Sequence, residues 1–148
     1  MTSVNRVEIS WALDSDRPDI DSARIETLVR LVFAGETVLW SSVGIILGSH
    51  EVVSQLNGTY LDHHYDTDVL SFLIDESNEG IEGEVYVDVE TASERHAEFG
   101  TTVAEEVERY VAHGVLHLAG YDDSTTDGKN AMRALEDKYL ASLNSPDA

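Results

Sequence analysis

Residues 101–120 hold the longest helical pattern in the chain. Val103, Val107, Tyr110, Val111 and Leu118 recur at the spacing that lines one face of a helix. The pattern starts at Thr101 or Thr102, and Glu105 and Glu106 fall in its first turn, where the helix dipole favours acidic side chains. Gly120 ends it as a C′ glycine does. The same stretch carries two histidines four residues apart, so the longest helical pattern also carries the most distinctive chemistry.

The segment HGVLHLAGYDD spans residues 113–123. His113 and His117 lie on one helical face, about 6 Å apart at Cβ, close enough for two ring nitrogens to meet one ion. Past Gly120 the chain can fold back, so that Asp123 or Asp122 supplies an oxygen ligand. Three protein ligands leave a fourth position free, as in a catalytic zinc site. The donor set also suits iron(II), manganese or nickel. The bland alternative is two ordinary helix histidines, but a helix-stopping glycine and a carboxylate at these intervals argue against it. Gly114 inside a helix costs on the order of 1 kcal/mol relative to alanine, so something should approach the backbone closely there. Zinc peptidases of the HExxHxxGxxH layout share the spacing, but their general base follows the first histidine. Here that place holds Gly114.

The remainder reads as an α+β domain spanning residues 1–148, with a small mixed sheet of about four strands, flanking helices and a central metal-binding helix. Strands are expected over residues 4–11, 38–47, 69–75 and 84–89. Helices are expected from Asp21 or Ser22 to Gly35, from a Ser49 cap to Leu56, over 91–99, and from Thr126 or Asp127 to Leu143. Residues 57–68 read as a polar loop holding His63 and His64. Trp11 and Trp40 read as core or sheet-edge residues, His50 and His96 as surface residues, and Tyr121 as packing against the last helix.

Charge narrows the partners. Nine Lys+Arg against 29 Asp+Glu give −20, so the overall field repels polyanions and any nucleic-acid role needs a local site. Arg95, Arg109, Lys129, Arg133 and Lys138 cluster in the C-terminal half. They form either a basic strip or pairs with neighbours such as Glu136 and Asp137. The acids alternate with apolar residues, which fits a folded acidic surface in a salt-rich cytoplasm, with stability rising with KCl. There is no cysteine, which excludes disulfides, thiolate metal sites and thiol catalysis. No 18-residue apolar run and no signal-peptide pattern occur, so a cytoplasmic protein without a membrane partner is expected.

HGVLHLAGYDD closely resembles the HGxLHLxGYDH signature of the YbeY family of rRNA-maturation endoribonucleases. The likeness extends to Leu56-Asn57-Gly-Thr-Tyr60, to Thr67-Asp68-Val69-Leu70-Ser71-Phe72, and to the strand from Gly83 to Val87. It implies a metal-dependent hydrolase cutting single-stranded RNA in 16S 3′-end maturation and ribosome quality control. It further implies one Zn2+ per chain held by His113, His117 and Asp123. The partners implied are rRNA and the small ribosomal subunit, not DNA. Thr67, Asp68 and Ser71 would line the cleft, with His63 as a further candidate. Asp123 stands where most members have histidine, Leu61 where many have arginine, and Glu84 where an aspartate is usual. An aspartate ligand lowers the positive charge of the site. Two other readings are a ribosome-assembly factor with a structural metal, and a zincin-like metalloprotease.

Overall fold

The computed structural model describes residues 5–14, 16–60 and 68–145. Ten elements follow in order: β1 (Arg6–Ala12), α1 (Ser22–Gly35), β2 (Trp40–Gly48), α2 (His50–Tyr60), β3 (Val69–Ser77), β4 (Gly80–Asp88), α3 (Val89–Arg95), a 3-10 turn (His96–Phe99), α4 (Val103–Leu118) and α5 (Thr126–Leu143). The strands form one mixed sheet in the order β1-β2-β4-β3. β1, β2 and β4 run parallel, while β3 pairs antiparallel with β4 and forms an edge.

Alternation along the strands separates the two sheet faces. Val43, Ile45 and Leu47 of β2 and Val85 and Val87 of β4 are buried on the face that meets the helices. α4 lies against β3 and β4 and also packs on α1, α3 and α5. Ile25, Leu28, Val29, Val32 and Phe33 of α1 and Val107, Val111, Val115 and Leu116 of α4 complete this core. Each fully buried side chain of this size contributes about 1.5–3 kcal/mol.

Local signals explain the element ends. Asp21 caps α1 by accepting from the Ala23 and Arg24 amides. Thr102 and Glu105 form a reciprocal capping box at the start of α4. The expected α+β element order is observed, with shifted boundaries. α2 continues through the expected loop start, because Asn57 is buried one turn beyond buried Val53 and extends the inner face of the helix. β3 and β4 are longer than expected, since Gly80, at φ +110°, makes a turn that carries the ladder to Ser77 and Gly80. α3 begins at Val89 rather than Thr91 because Asp88 accepts from the Thr91 amide.

Gly114 has a packing reason. A Cβ there would run into Val85 and Val69 of the sheet. The Ser71 hydroxyl also donates to the Gly114 carbonyl at 2.6 Å. The missing side chain lets α4 lie close on β3 and β4 just beside His113. Among the described residues, no helix is long and apolar enough to cross a membrane.

Candidate metal centre

The end of α4 sets the geometry. The Gly120 amide bonds to the His117 carbonyl and the Tyr121 amide to the Leu116 carbonyl, with Gly120 at φ +108°. These are the two bonds of a Schellman motif. The turn swings the Tyr121 carbonyl back over the helix, where it lies 3.0 Å from His117 Nδ1. A carbonyl only accepts, so His117 carries its proton on Nδ1 and turns Nε2 outward.

His113 is fixed in the same way from another helix. Its Nδ1 lies 2.7 Å from a carboxylate oxygen of Glu136 on α5. Glu136 is buried, and its other oxygen accepts from Arg109 at 3.0 Å. Both histidines therefore use one nitrogen within the fold and present Nε2 to the same place.

The two Nε2 atoms are 3.1 Å apart. The Asp123 carboxylate lies 3.3 Å from the Nε2 of His113 and 3.6 Å from that of His117. Donors about 2.0–2.1 Å from a tetrahedral zinc ion stand about 3.3 Å from one another. Two imidazole lone pairs and a carboxylate oxygen meeting at one point repel unless a cation lies among them. This donor set and spacing fit one divalent ion.

The two candidate aspartates part company. Asp122 accepts from the Ser124 amide and hydroxyl, both at 2.9 Å, bonds that hold its carboxyl below the usual range. Asp123 faces the histidines instead. Burial lowers the His117 pKa, and the neighbouring His113 adds to this, favouring the neutral ring that a ligand needs. Burial also opposes charge on His113, but the Glu136 hydrogen bond and charge, helped by Asp123, prevail and raise its pKa.

The three side chains line a groove of about 1120 Å³ running along β3. Val69, Ser71 and Leu73 of β3 and Lys129 of α5 are among the residues that line it. A second depression of about 360 Å³ continues past His113 and Asp123 toward Asp68, Lys129 and Arg133.

Of the expected cleft residues, Ser71 lines the groove, but its hydroxyl is engaged by the Gly114 carbonyl. Asp68 lines the second depression, and its carbonyl accepts from the Asp88 amide at 2.9 Å. Burial pushes its carboxyl pKa up against the lowering charge of Arg95. Thr67, His63, His64 and Leu61 lie outside the described residues. His50 is more than a surface residue: its Nδ1 lies 2.6 Å from buried Asp88 at the start of α3. Trp40 is in the core, stacked on Phe33 at 5.0 Å.

Sequence reasoning missed two supports. Glu136 was read only as a charge partner, although it sits in the buried stripe Met132, Glu136, Tyr139 and Leu143 of α5. A lone carboxylate in an apolar stripe was the signal. Glu36 follows α1 and accepts from the hydroxyls of Tyr121 and Tyr139. It thereby ties the turn after α4 to α1 and α5.

Known proteins resemble this chain in sequence and in fold. The family model described as "Endoribonuclease YbeY" matches residues 11–144. An endoribonuclease YbeY of Salinibacter ruber is 45% identical over 139 residues, covering 87% of this chain and 88% of the relative. One from Cytophaga hutchinsonii is 35% identical over 119 residues, covering 80% and 83%. A solution structure of a Thermotoga maritima protein matches with a TM-score of 0.56 at 28% identity, covering 93% of this chain and 88% of that one. With the fold, the His-His-Asp cluster and these relatives in agreement, the chain belongs to the YbeY family.

Proposed function

We propose that this chain is a metal-dependent endoribonuclease that cuts single-stranded RNA. Its substrate would be small-subunit rRNA, in 16S 3′-end maturation and ribosome quality control, and its place of work the cytoplasm. His113, His117 and Asp123 would hold one zinc ion per chain. The observation that carries this reading is the meeting of three ligand atoms, all within 4.8 Å of one another, in the wall of an open groove. The names of the relatives supply the substrate class.

When bound, such a cation supplies Lewis acidity, lowering the pKa of water and drawing charge from a phosphate oxygen. The chain's own residues do the positioning. Glu136 and the Tyr121 carbonyl each hold an imidazole in one tautomer and orientation. Asp123 contributes a negative charge and so moderates the site's positive field. Gly114, lacking a side chain, has no proton acceptor to offer in the place where zinc peptidases keep their base.

The test is cleavage of end-labelled single-stranded and duplex RNA by zinc-loaded protein, with His117→Ala as the contamination control and casein as a parallel substrate. Cutting of the single strand alone, abolished by chelation and by the substitution, is expected. RNA cleavage that persists in His117→Ala, or casein hydrolysis in its place, would overturn the proposal.

A further inference from the structure

RNA binding by a chain of charge −20 needs local cations that the fold has not already neutralised. Most of the nine are engaged. Arg6, Arg24, Arg30, Arg95 and Arg109 each pair with a carboxylate. Arg17 lies over Trp11 and Lys138 over Tyr139. Among the described residues, Lys129 and Arg133 alone make neither kind of contact.

These two are placed together. They stand four apart on α5, so they share one face of that helix. Both are exposed, and both line the depression shared by His113 and Asp123. Lys129 also lines the main groove along β3. Lys129 lies near the N-terminal end of α5, where the helix dipole favours Asp127 of the first turn and disfavours a cation. The acids nearby have other duties: Glu136 accepts from Arg109 and faces His113, while Asp123 faces both histidines.

We infer that Lys129 and Arg133 form a phosphate-binding subsite that holds the backbone of the RNA strand beside the metal centre. This rests on the endoribonuclease reading and adds how that site grips its substrate. The strand lies along the groove lined by Lys129 of α5 and by Val69 and Leu73 of β3. Contacts of this kind set register and affinity without reading bases.

The experiment uses zinc-loaded protein and two measurements. One is binding of a fluorescent single-stranded RNA across a KCl series, read by stopped flow before a turnover completes; the other is steady-state cleavage of single-stranded RNA. The variants are Lys129→Gln, Arg133→Gln and the double substitution. Arg6→Gln, on β1 away from the groove, removes the same charge and reports the overall field. Each subsite variant should raise KM and Kd about tenfold at low salt, leaving kcat and metal content unchanged. The double variant should flatten the slope of log Kd against log [KCl] by about 1.4, at roughly 0.7 per lost phosphate contact. A double variant with the wild-type KM and slope, or one that changes no more than Arg6→Gln does, overturns the subsite while the nuclease reading stands. Wild-type protein that neither binds nor cuts RNA overturns both.

Discussion

The two halves of α4 bury polar side chains to different ends. In the first half, Glu108 is 5% exposed and accepts from Nε and Nη2 of Arg24, at 2.8 and 3.1 Å. Arg24 also donates to Asn144, so the contact closes α1, α4 and α5 together. In the second half, His113 and His117 each give one nitrogen to the fold and turn the other into a groove. The difference separates a polar group placed for stability from one placed for chemistry. The first has its bonding capacity used up inside the protein; the second has capacity left over, held in a fixed direction.

If that distinction is right, substitutions in the two halves should separate metal affinity from stability. The largest effect belongs to His117→Ala. Metal content, measured by elemental analysis after dialysis, should fall from one ion per chain to nearly none, with RNA cleavage lost beside it. A substituted protein that kept a full ion would break the comparison at its root.

Glu136→Gln comes next, since it removes a carboxylate that touches His113 but would not itself touch an ion. Zinc affinity should drop about 10–100-fold, the range found when such outer partners are altered. Competition with a chromogenic chelator reads this directly. An unchanged affinity would mean that Glu136 serves only Arg109.

Arg24→Ala should do the reverse. It leaves Glu108 buried without its partner, and losing one member of a fully buried pair costs about 3–5 kcal/mol. Arg24 is 37% exposed, so screening reduces the expected loss to about 1–3 kcal/mol. Urea unfolding measures it, and zinc stoichiometry should not move.

Glu36 gives the smallest and most conditional effect. Burial opposes its charge, but hydrogen bonds from Tyr121 and Tyr139, with the charge of Lys138, hold its carboxyl below the usual value. A carboxyl lowered in the folded state adds stability above its unfolded pKa, near 4.3, and loses it as pH falls through the folded value. Glu36→Gln should therefore be less stable than wild type at pH 7, and the gap should close as pH drops below about 4. A gap that stays constant into acid would mean that shape, not charge, makes the contact.

These pairings also mark what could be seen in one dimension. The spacing of His113, His117, Gly120 and Asp123 is local, so helix geometry and one αL glycine sufficed to read it. Gly114 announced a close approach without saying of what; that needed β3 and β4 to arrive from elsewhere. Glu108 and Arg24 lie in helices far apart in sequence, and nothing in either segment says that they meet. Spacing alone left Asp123 and Asp122 open and only the family resemblance favoured Asp123; in the fold the chain after Gly120 turns Asp122 toward Ser124 and Asp123 toward the histidines. Strand order was equally hidden, because β4 enters between β2 and β3 only after the hairpin folds back.

X-ray absorption at the zinc edge of the loaded protein addresses the heart of the account. It should show four light ligands at about 2.0–2.1 Å with scattering from two imidazoles. In Asp123→Ala the two imidazoles should remain while the shell loses the carboxylate oxygen. A wild-type spectrum with one imidazole or none, or one that Asp123→Ala leaves unaltered, would contradict the convergence on which the rest depends.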